Sequence, residues 1–280
     1  MAGKFFAVAD ITRTKDAVEL TFRPRRPWKV CAGQYVYLKA PGVRLLSFAE
    51  SHPFNIVWWE NGPDGKAEII SILAKVQSGF TKDLFCCSRN HLRVIIDGPY
   101  GENKDTEPYD SVVMICTGIG IAAQLPYARG MILRQMPTDH SHRKQRVSII
   151  WMMEKEYHND WVCNWMDRLL EQDSINAQVH KAPQSQEISS HLDQFPLVKN
   201  APGLERRRIM ECVTQLIESA EGSKHLNFNY SLYITDRSGK DLQLGRRGVQ
   251  FYGEPDLAAI VNEELRVCPG KLLISGMTSL

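Results

Sequence analysis

The first hundred residues contain short apolar or alternating runs separated by turn-forming residues. These runs are 5–11, 18–22, 35–38, 54–58, 68–76 and 92–96. Strands of this length and spacing are typical of an antiparallel barrel or sandwich. The clearest turn is NGPDG at 61–65, where glycine and proline supply the backbone angles of a tight reversal. The pattern therefore predicts an antiparallel β domain with a hairpin closed by this turn.

Beyond residue 101 the pattern changes. A polar link, GENKDTEPYD, precedes strand-length apolar runs that alternate with helix-length segments. The runs are 112–116, 147–153, 226–235 and 271–275, and the first helical segments are 122–134 and 161–170. Such alternation is typical of a parallel sheet covered by helices. We therefore expect two domains, an antiparallel β-barrel over 1–104 and an α/β parallel-sheet, Rossmann-like domain over 105–280.

Two segments of the second domain depart from this alternation. Residues 181–203 are rich in Pro, Ser, Gln and Asn and have no clear period, which favours a surface insertion. Residues 205–221 have the apolar spacing of an amphipathic helix.

The composition indicates a folded protein, because 43% of the 280 residues are hydrophobic and 24% are charged. A net charge of +2 gives no reason to expect a nucleic-acid partner. The seven cysteines are odd in number and lack CxxC spacing, so no disulfide framework, zinc site or iron–sulfur site is predicted. His140 and His142 lie among Arg and Lys residues, which favours a basic loop over a metal pair.

The uncharged stretch 111–128 is about as long as the ~18 residues that a membrane-spanning helix needs. Gly118, Gly120 and Pro126 interrupt it, so a buried strand followed by a glycine turn is the preferred interpretation. The N-terminus becomes charged too early for a secretory signal. We expect this chain on its own to be soluble, in a reducing compartment.

The sequence TGIGIAAQLPY follows the strand-length run 112–116. A strand that enters a glycine turn and then a helix can bring backbone amides close to a diphosphate. The same pattern also occurs in ordinary tight turns, and the third glycine of the usual dinucleotide fingerprint is missing.

Further motifs precede this turn in the order AGQYVYL (32–38), HPFNI (52–56), KVQSGFTKDL (75–84) and GPYG (98–101). Together with TGIGIAAQLPY they resemble the ferric reductase and NADPH oxidase branch of the ferredoxin-NADP reductase superfamily, and fungal ferric reductases in particular. The resemblance covers almost the whole chain. It implies that the barrel holds FAD, that the α/β domain holds NADPH, and that the two redox rings meet at the interface.

The resemblance assigns the FAD site residue by residue. His52, Pro53, Phe54 and Asn55 would line the isoalloxazine and ribityl part of FAD, although the family usually has Ser or Thr in place of Asn55. Gly79, Phe80 and Thr81 would bind the diphosphate, with Lys75 as a countercharge. Without the resemblance, HPFNI is a strand start with Phe54 in the core, and GFT is a hairpin glycine beside a core phenylalanine. GPYG would end the barrel.

The nicotinamide site is assigned in the same way. Thr117, Gly118, Ile119 and Gly120 would hold the NADPH diphosphate, with Ala122 where the family commonly has Thr. Arg237, Ser238, Arg246 and Arg247 would grip the 2′-phosphate, since guanidinium groups suit phosphate geometry, or else form a solvated loop.

Near the C-terminus the family has a Cys-Gly-Pro turn close to the nicotinamide. Ser275 and Gly276 match the first two positions, and Met277 replaces the proline. Either hydride transfer is impaired or the chain is a truncated fragment. Trp151, Trp161 and Trp165 are interpreted as packing residues rather than cofactor contacts.

The implied activity is hydride transfer from NADPH to FAD, which needs no acidic or basic side chain. The reduced flavin would then pass electrons to a haem-bearing transmembrane domain, which would reduce a ferric chelate on the outside. In the parent protein, the part described by this chain would lie on the cytosolic face of the plasma membrane. Two alternatives remain open: an oxidase that produces superoxide, and a nucleotide-binding module without catalysis.

Overall fold

The computed structural model describes residues 3–44, 47, 49–135, 145–192, 227–235, 242–244 and 248–277. Within these ranges, the side chains of 178–192 and 242–244 are not described.

The first lobe is a closed antiparallel barrel with the strand order β1-β2-β5-β4-β3-β6. Its strands are β1 (Gly3–Arg13), β2 (Ala17–Phe22), β3 (Tyr35–Lys39), β4 (His52–Asn61), β5 (Ala67–Lys75) and β6 (His91–Tyr100). The prediction of an antiparallel β domain is confirmed, and closure of the sheet decides for a barrel over a sandwich. The hairpin at 61–65 is confirmed as well, since Gly65 has a φ of 73° and β4 pairs with β5.

A short helix, α1 (Phe80–Cys86), connects β5 to β6 and was not predicted. It places Phe80 and Leu84 against the barrel core, where alternate strand residues such as Val36 and Leu38 are fully buried. Arg13 fixes the end of this helix by donating from Nε to the Phe85 carbonyl at 3.0 Å. Cations at a helix C-terminus are favourable because the last carbonyls have no helical partner.

The second lobe is built on a sheet with the strand order β10-β11-β9-β8-β7-β12. Its strands are β7 (Ser111–Thr117), β8 (Arg146–Met153), β9 (Phe228–Ile234), β10 (Leu242–Leu244), β11 (Gly248–Tyr252) and β12 (Leu272–Met277). Its helices are α2 (Ile121–Arg134), α3 (Cys163–Leu192) and α4 (Leu257–Val267), with 3₁₀ turns at Gly118–Gly120 and Glu156–Trp161. All strand pairs are parallel except β10 with β11, so the predicted parallel sheet is confirmed.

Several details differ from the sequence-based expectation. The helix predicted at 161–170 continues to Leu192, so residues 181–192 of the predicted insertion are helical. Strands β10 and β11 and helix α4 were not predicted. GPYG does end the barrel as expected, but Gly98, Pro99 and Tyr100 form the end of strand β6 rather than a turn. The remainder of the insertion, the amphipathic segment 205–221, His140 and His142 lie outside the described residues.

The two lobes share a packed joint. Outward-facing barrel residues join the apolar core of the second lobe, and these are Ala17, Val57, Trp58 and Leu73. Trp161 and His158 from the second lobe both bond to Asp16 in the β1–β2 turn, at 2.9 Å and 3.1 Å. Trp151, Trp161 and Trp165 are all buried in this core, which confirms their packing role.

None of the described helices combines the length and the hydrophobicity that a membrane crossing requires. In the same part of the chain, no group of His, Cys, Asp and Glu side chains is arranged to hold a metal ion.

Candidate functional site

The HPFN segment forms the start of β4, where alternation divides its side chains between two faces. His52 and Phe54 pair with the buried Leu38 and Val36 of β3, and Phe54 packs partly against the barrel core. Pro53 and Asn55 are exposed on the outer face. The motif therefore presents two surfaces, with an aromatic pair on one and the Asn55 amide on the other.

The aromatic pair meets a third ring from α1. The rings of His52 and Phe80 are stacked with centroids 4.0 Å apart and an interplanar angle of 16°. Phe54 lies 6.4 Å from Phe80 in a tilted arrangement. Two motifs that are separate in the sequence, HPFN and GFT, thus meet at one end of the barrel, as their joint assignment to FAD requires.

The GFT motif begins with a glycine in the left-handed region. Gly79 has a φ of 73°, which side chains other than glycine rarely adopt. Thr81 closes the same turn, because its Oγ1 accepts the Gln77 N–H at 2.9 Å. A Cβ built on Gly79 would lie 3.7 Å from the nearest atom, Nη1 of Arg44. The face of the turn at Gly79 is therefore not covered by other residues, and the nearest group to it is the Arg44 guanidinium.

Arg44 is the centre of a charged cluster that the sequence did not indicate. Its guanidinium is paired with Glu50 and lies 3.4 Å from Asp83. Glu50 also lies 3.3 Å from the His52 ring. The hydrogen bond from Arg44 lowers the pKa of Glu50, and the same bond raises the pKa of Arg44.

These residues fit FAD on chemical grounds. A glycine turn with open space, an adjacent guanidinium and neighbouring aromatic rings provide for a diphosphate and for a planar ring system. The cation beside Gly79 is Arg44, whereas the sequence-based assignment expected Lys75 in that role.

Lys75 has a different neighbour. Its Nζ lies 3.6 Å from Glu154, which follows β8 in the second lobe. The residue expected as a countercharge for FAD thus forms an ion pair across the joint between the lobes.

In the second lobe, Thr117 ends β7 and the Gly118–Gly120 turn follows at once. Gly118 has a φ of 45°, and its carbonyl accepts the indole N–H of Trp151 at 2.8 Å. Trp151 is fully buried, so this bond holds the turn from inside the protein. The packing interpretation of Trp151 is correct, but it missed this hydrogen bond.

Gly120 has a separate reason to be glycine. A Cβ at this position would lie 2.6 Å from the carbonyl oxygen of Met277, at the end of β12. Strand β12 pairs with β7, and Ser275 lies 3.2 Å from the Gln124 amide at the start of α2. The structure therefore brings the end of β12 beside the glycine turn, and the assignment of Ser275 and Gly276 to the nicotinamide site stays a prediction.

A cavity of about 380 Å³ lies at the carboxyl ends of the central parallel strands. It is lined by Thr117, Gly118, Met152, Met153, Glu154, Thr235, Glu254, Pro255 and Leu257. This edge of a parallel sheet is where nucleotides bind in α/β folds. Its described lining contains two carboxylates and neither Lys nor Arg. The place of the cavity in the sheet fits a nucleotide, and backbone amides are the described groups there that could meet a phosphate. Arg237, Ser238, Arg246 and Arg247 lie outside the described residues, and Ile119 is half-buried against the core.

The fold and these two sites define a class, a two-lobed protein that binds a flavin in a barrel and a nicotinamide dinucleotide in an α/β lobe. Two family models match the chain, the FAD-binding domain over residues 4–104 and the Ferric reductase NAD binding domain over residues 109–267. The chain therefore belongs to the ferric reductase family and comprises the FAD-binding and NAD(P)-binding parts of an NAD(P)H-dependent flavin oxidoreductase.

Curated relatives agree with this assignment. Ferric/cupric reductase transmembrane component 7 of Saccharomyces cerevisiae is 26% identical over 146 residues, which are 52% of this chain and 20% of the relative. Ferric reductase transmembrane component 3 of the same yeast is 32% identical over 116 residues, 40% of this chain and 16% of the relative. Probable cell surface ferric reductase kap2 of Aspergillus oryzae is 29% identical over 158 residues, again 52% and 20%. The match spans a fifth or less of the length of each relative.

Proposed function

We propose that this chain passes a hydride from NADPH to FAD and that the electrons then leave for a haem-bearing transmembrane domain, where they reduce a ferric chelate. One observation carries the proposal. Strand β4, which begins with His52–Asn55, packs against helix α2, which follows the Gly118–Gly120 turn. Strand β5 of the barrel also contacts that turn. The two candidate cofactor sites thus lie on elements that touch.

FAD, when bound, accepts a hydride and can release electrons one at a time. The protein supplies position and an environment poor in water. Phe54 and Phe80 provide apolar ring surfaces for the flavin, and Gly79 and Arg44 provide for its diphosphate. Trp151 holds the Gly118 carbonyl, which orients the turn for the nicotinamide dinucleotide. No described side chain needs to exchange a proton with the substrate.

The names of the relatives support the destination of the electrons. Two are called transmembrane components of ferric reductases, and the third is called a cell surface ferric reductase. We therefore place the parent protein at a membrane, with this part on the cytosolic face of the plasma membrane.

The test is anaerobic reduction of the purified chain reconstituted with FAD. We expect NADPH to bleach the visible absorption of the bound flavin and to support reduction of an artificial dye, faster than NADH does. Gly118→Val should abolish bleaching by NADPH while FAD stays bound, because valine is strained at a φ of 45°. Gly130→Ala is the matched control, since a Cβ there meets no atom within 4 Å and α2 favours alanine.

The carboxylates Glu154 and Glu254 in the nucleotide cavity favour one alternative, a nucleotide-binding module without catalysis. That alternative predicts flavin binding without bleaching by either nicotinamide cofactor. A chain that binds no FAD at all would contradict both functions.

A further inference from the structure

Arg129 is a buried cation at the joint between the lobes. It lies on the face of α2 that packs against β4, and only 9% of its surface is exposed. Burial lowers its pKa to about 10, so it remains charged at neutral pH. Its guanidinium forms no ion pair or side-chain hydrogen bond with any residue in the described part of the chain. Glu60 attracts this charge from nearby, but Glu60 is paired with Arg168, so other contacts must offset most of the loss of water.

Two tryptophans of the barrel supply those contacts. The guanidinium carbon of Arg129 lies 4.1 Å from the ring centroid of Trp59 and 5.0 Å from that of Trp58. Arginine above the face of a tryptophan is the strongest common cation–π pair, and it gains strength where water is excluded. A planar guanidinium in contact with two ring faces also allows fewer orientations than an aliphatic side chain does.

The position of this contact links the two candidate sites. Arg129 lies about 12 Å along α2 from its first residue, at 1.5 Å per residue. Trp58 lies about 13 Å along β4 from Phe54, at ~3.3 Å per residue. Helix α2 and strand β4 each run from this contact to one of the two candidate sites, so the angle between them at Arg129 bears on how the two sites face each other.

We propose that Arg129 is a positioning residue that sets the approach of the nicotinamide to the flavin by fixing α2 against β4 of the other lobe. This inference rests on the proposed function. It assigns a role in hydride transfer to a residue that touches neither cofactor.

The test compares Arg129→Met, Arg129→Lys and Arg168→Met in the FAD-loaded chain. Arg168 is the matched control, because it lies over Trp58 at 6.0 Å but is exposed and paired with Glu60. We expect Arg129→Met to slow flavin reduction at saturating NADPH by about 10- to 100-fold, the cost of a small misplacement of reacting groups. Its KM for NADPH and its FAD affinity should stay within about twofold of wild type, since both sites remain intact. Charge-transfer absorption between the stacked cofactor rings should weaken in parallel.

Arg129→Lys should recover part of the rate because the cation is retained, and Arg168→Met should behave as wild type. A wild-type rate in Arg129→Met would overturn the proposal, and so would a loss confined to cofactor binding. If Arg129→Met does not fold, Trp59→Phe is the substitute, because it weakens the same cation–π contact and keeps a buried ring. Trp59→Phe should slow flavin reduction, by less than the loss expected for Arg129→Met.

Hydrogen exchange separates this proposal from the proposed function. Arg129→Met should increase exchange in β4 and α2, whereas Arg168→Met should not. A wild-type chain that NADPH cannot reduce would refute the proposed function, and unchanged exchange in Arg129→Met would then refute the role of Arg129 in holding the lobes.

Discussion

The candidate flavin site and the candidate nicotinamide site offer different groups to a phosphate. Beside Gly79, Arg44 is held between Glu50 and Asp83. Beside Gly118, the described cavity offers carboxylates, and its turn is held by a neutral hydrogen bond from Trp151. The first site is thus organised by side-chain charge and the second by backbone geometry. Loss of a single side chain should therefore harm FAD binding more than it harms NADPH binding.

The largest expected effect is on FAD affinity. Arg44→Met should weaken FAD binding by about 10- to 100-fold, because it removes a charge-assisted contact and leaves Glu50 and Asp83 facing the diphosphate. Isothermal titration of the apoprotein with FAD measures this directly. Arg44→Lys should recover part of the affinity, since the charge remains and the fork geometry is lost.

Lys75→Met is the matched comparison for Arg44. The resemblance assigns Lys75 to the FAD phosphates, whereas the structure pairs it with Glu154. If Arg44 is the phosphate cation, Lys75→Met should change FAD affinity by no more than about threefold, as expected for a partly exposed ion pair. A larger loss in Lys75→Met than in Arg44→Met would restore the original assignment of Lys75 and remove the one we give to Arg44.

A smaller effect is expected on the nicotinamide side. Trp151→Phe keeps a buried ring but leaves the Gly118 carbonyl without its donor, which should raise the KM for NADPH by about five- to tenfold. Trp165→Phe is the control for lost volume, because Trp165 is also buried in the same core and its indole N–H makes no hydrogen bond in the described part. Steady-state kinetics and thermal unfolding should show similar losses of stability in both variants and a higher KM only in Trp151→Phe. Equal KM values would mean that Trp151 serves packing alone.

The features that the sequence predicted are those with a local cause. The alternation of apolar and polar residues, together with glycines at the turns, predicted the barrel strands, the 61–65 hairpin and the strand before the Gly118 turn. The residues within the HPFN motif, and those within the GFT motif, are close in sequence, so each motif could be recognised as part of a candidate flavin site.

The features that were missed depend on contacts between distant segments. Arg44 reaches Gly79 from a loop that precedes β4, and its neighbours in the sequence give no sign of that position. In the sequence, Gly120 was interpreted as a phosphate-binding glycine. In the structure, the Met277 carbonyl lies so close that a side chain at position 120 is excluded whether or not a phosphate binds there. Helix α1 is only seven residues long, and packing of Phe80 and Leu84 rather than intrinsic propensity accounts for it. Pattern and motif thus indicated both candidate sites, and packing between distant segments accounts for the charged and hydrogen-bonded partners that they did not indicate.

The smallest expected effect is a pH dependence of stability that arises at the joint between the two lobes. His158 is 1% exposed, and burial lowers its pKa although Asp16 partly opposes the shift. Its ring stacks on Trp161 at 4.1 Å, and Tyr157, Lys75 and Glu154 also face it. The unfolded chain takes up this proton near its ordinary pKa of ~6.5, before the folded chain does. The stabilising effect of a neutral His158 is therefore complete above that pH and declines as the pH falls below it.

His158→Gln keeps a donor for Asp16 and does not titrate. Between pH 7.5 and 5.5, wild type should lose up to about 2 °C more in thermal midpoint than this variant does. Asp16→Asn should increase the dependence, because it removes the carboxylate that favours the charged ring. Burial raises the pKa of Glu19, which acts in the opposite direction, but Glu19 is common to all three proteins and cancels in the difference. If the thermal midpoints of wild type and His158→Gln fell in parallel with pH, His158 would not make the joint sensitive to pH. The two lobes would then be distinguished by their proposed phosphate contacts alone.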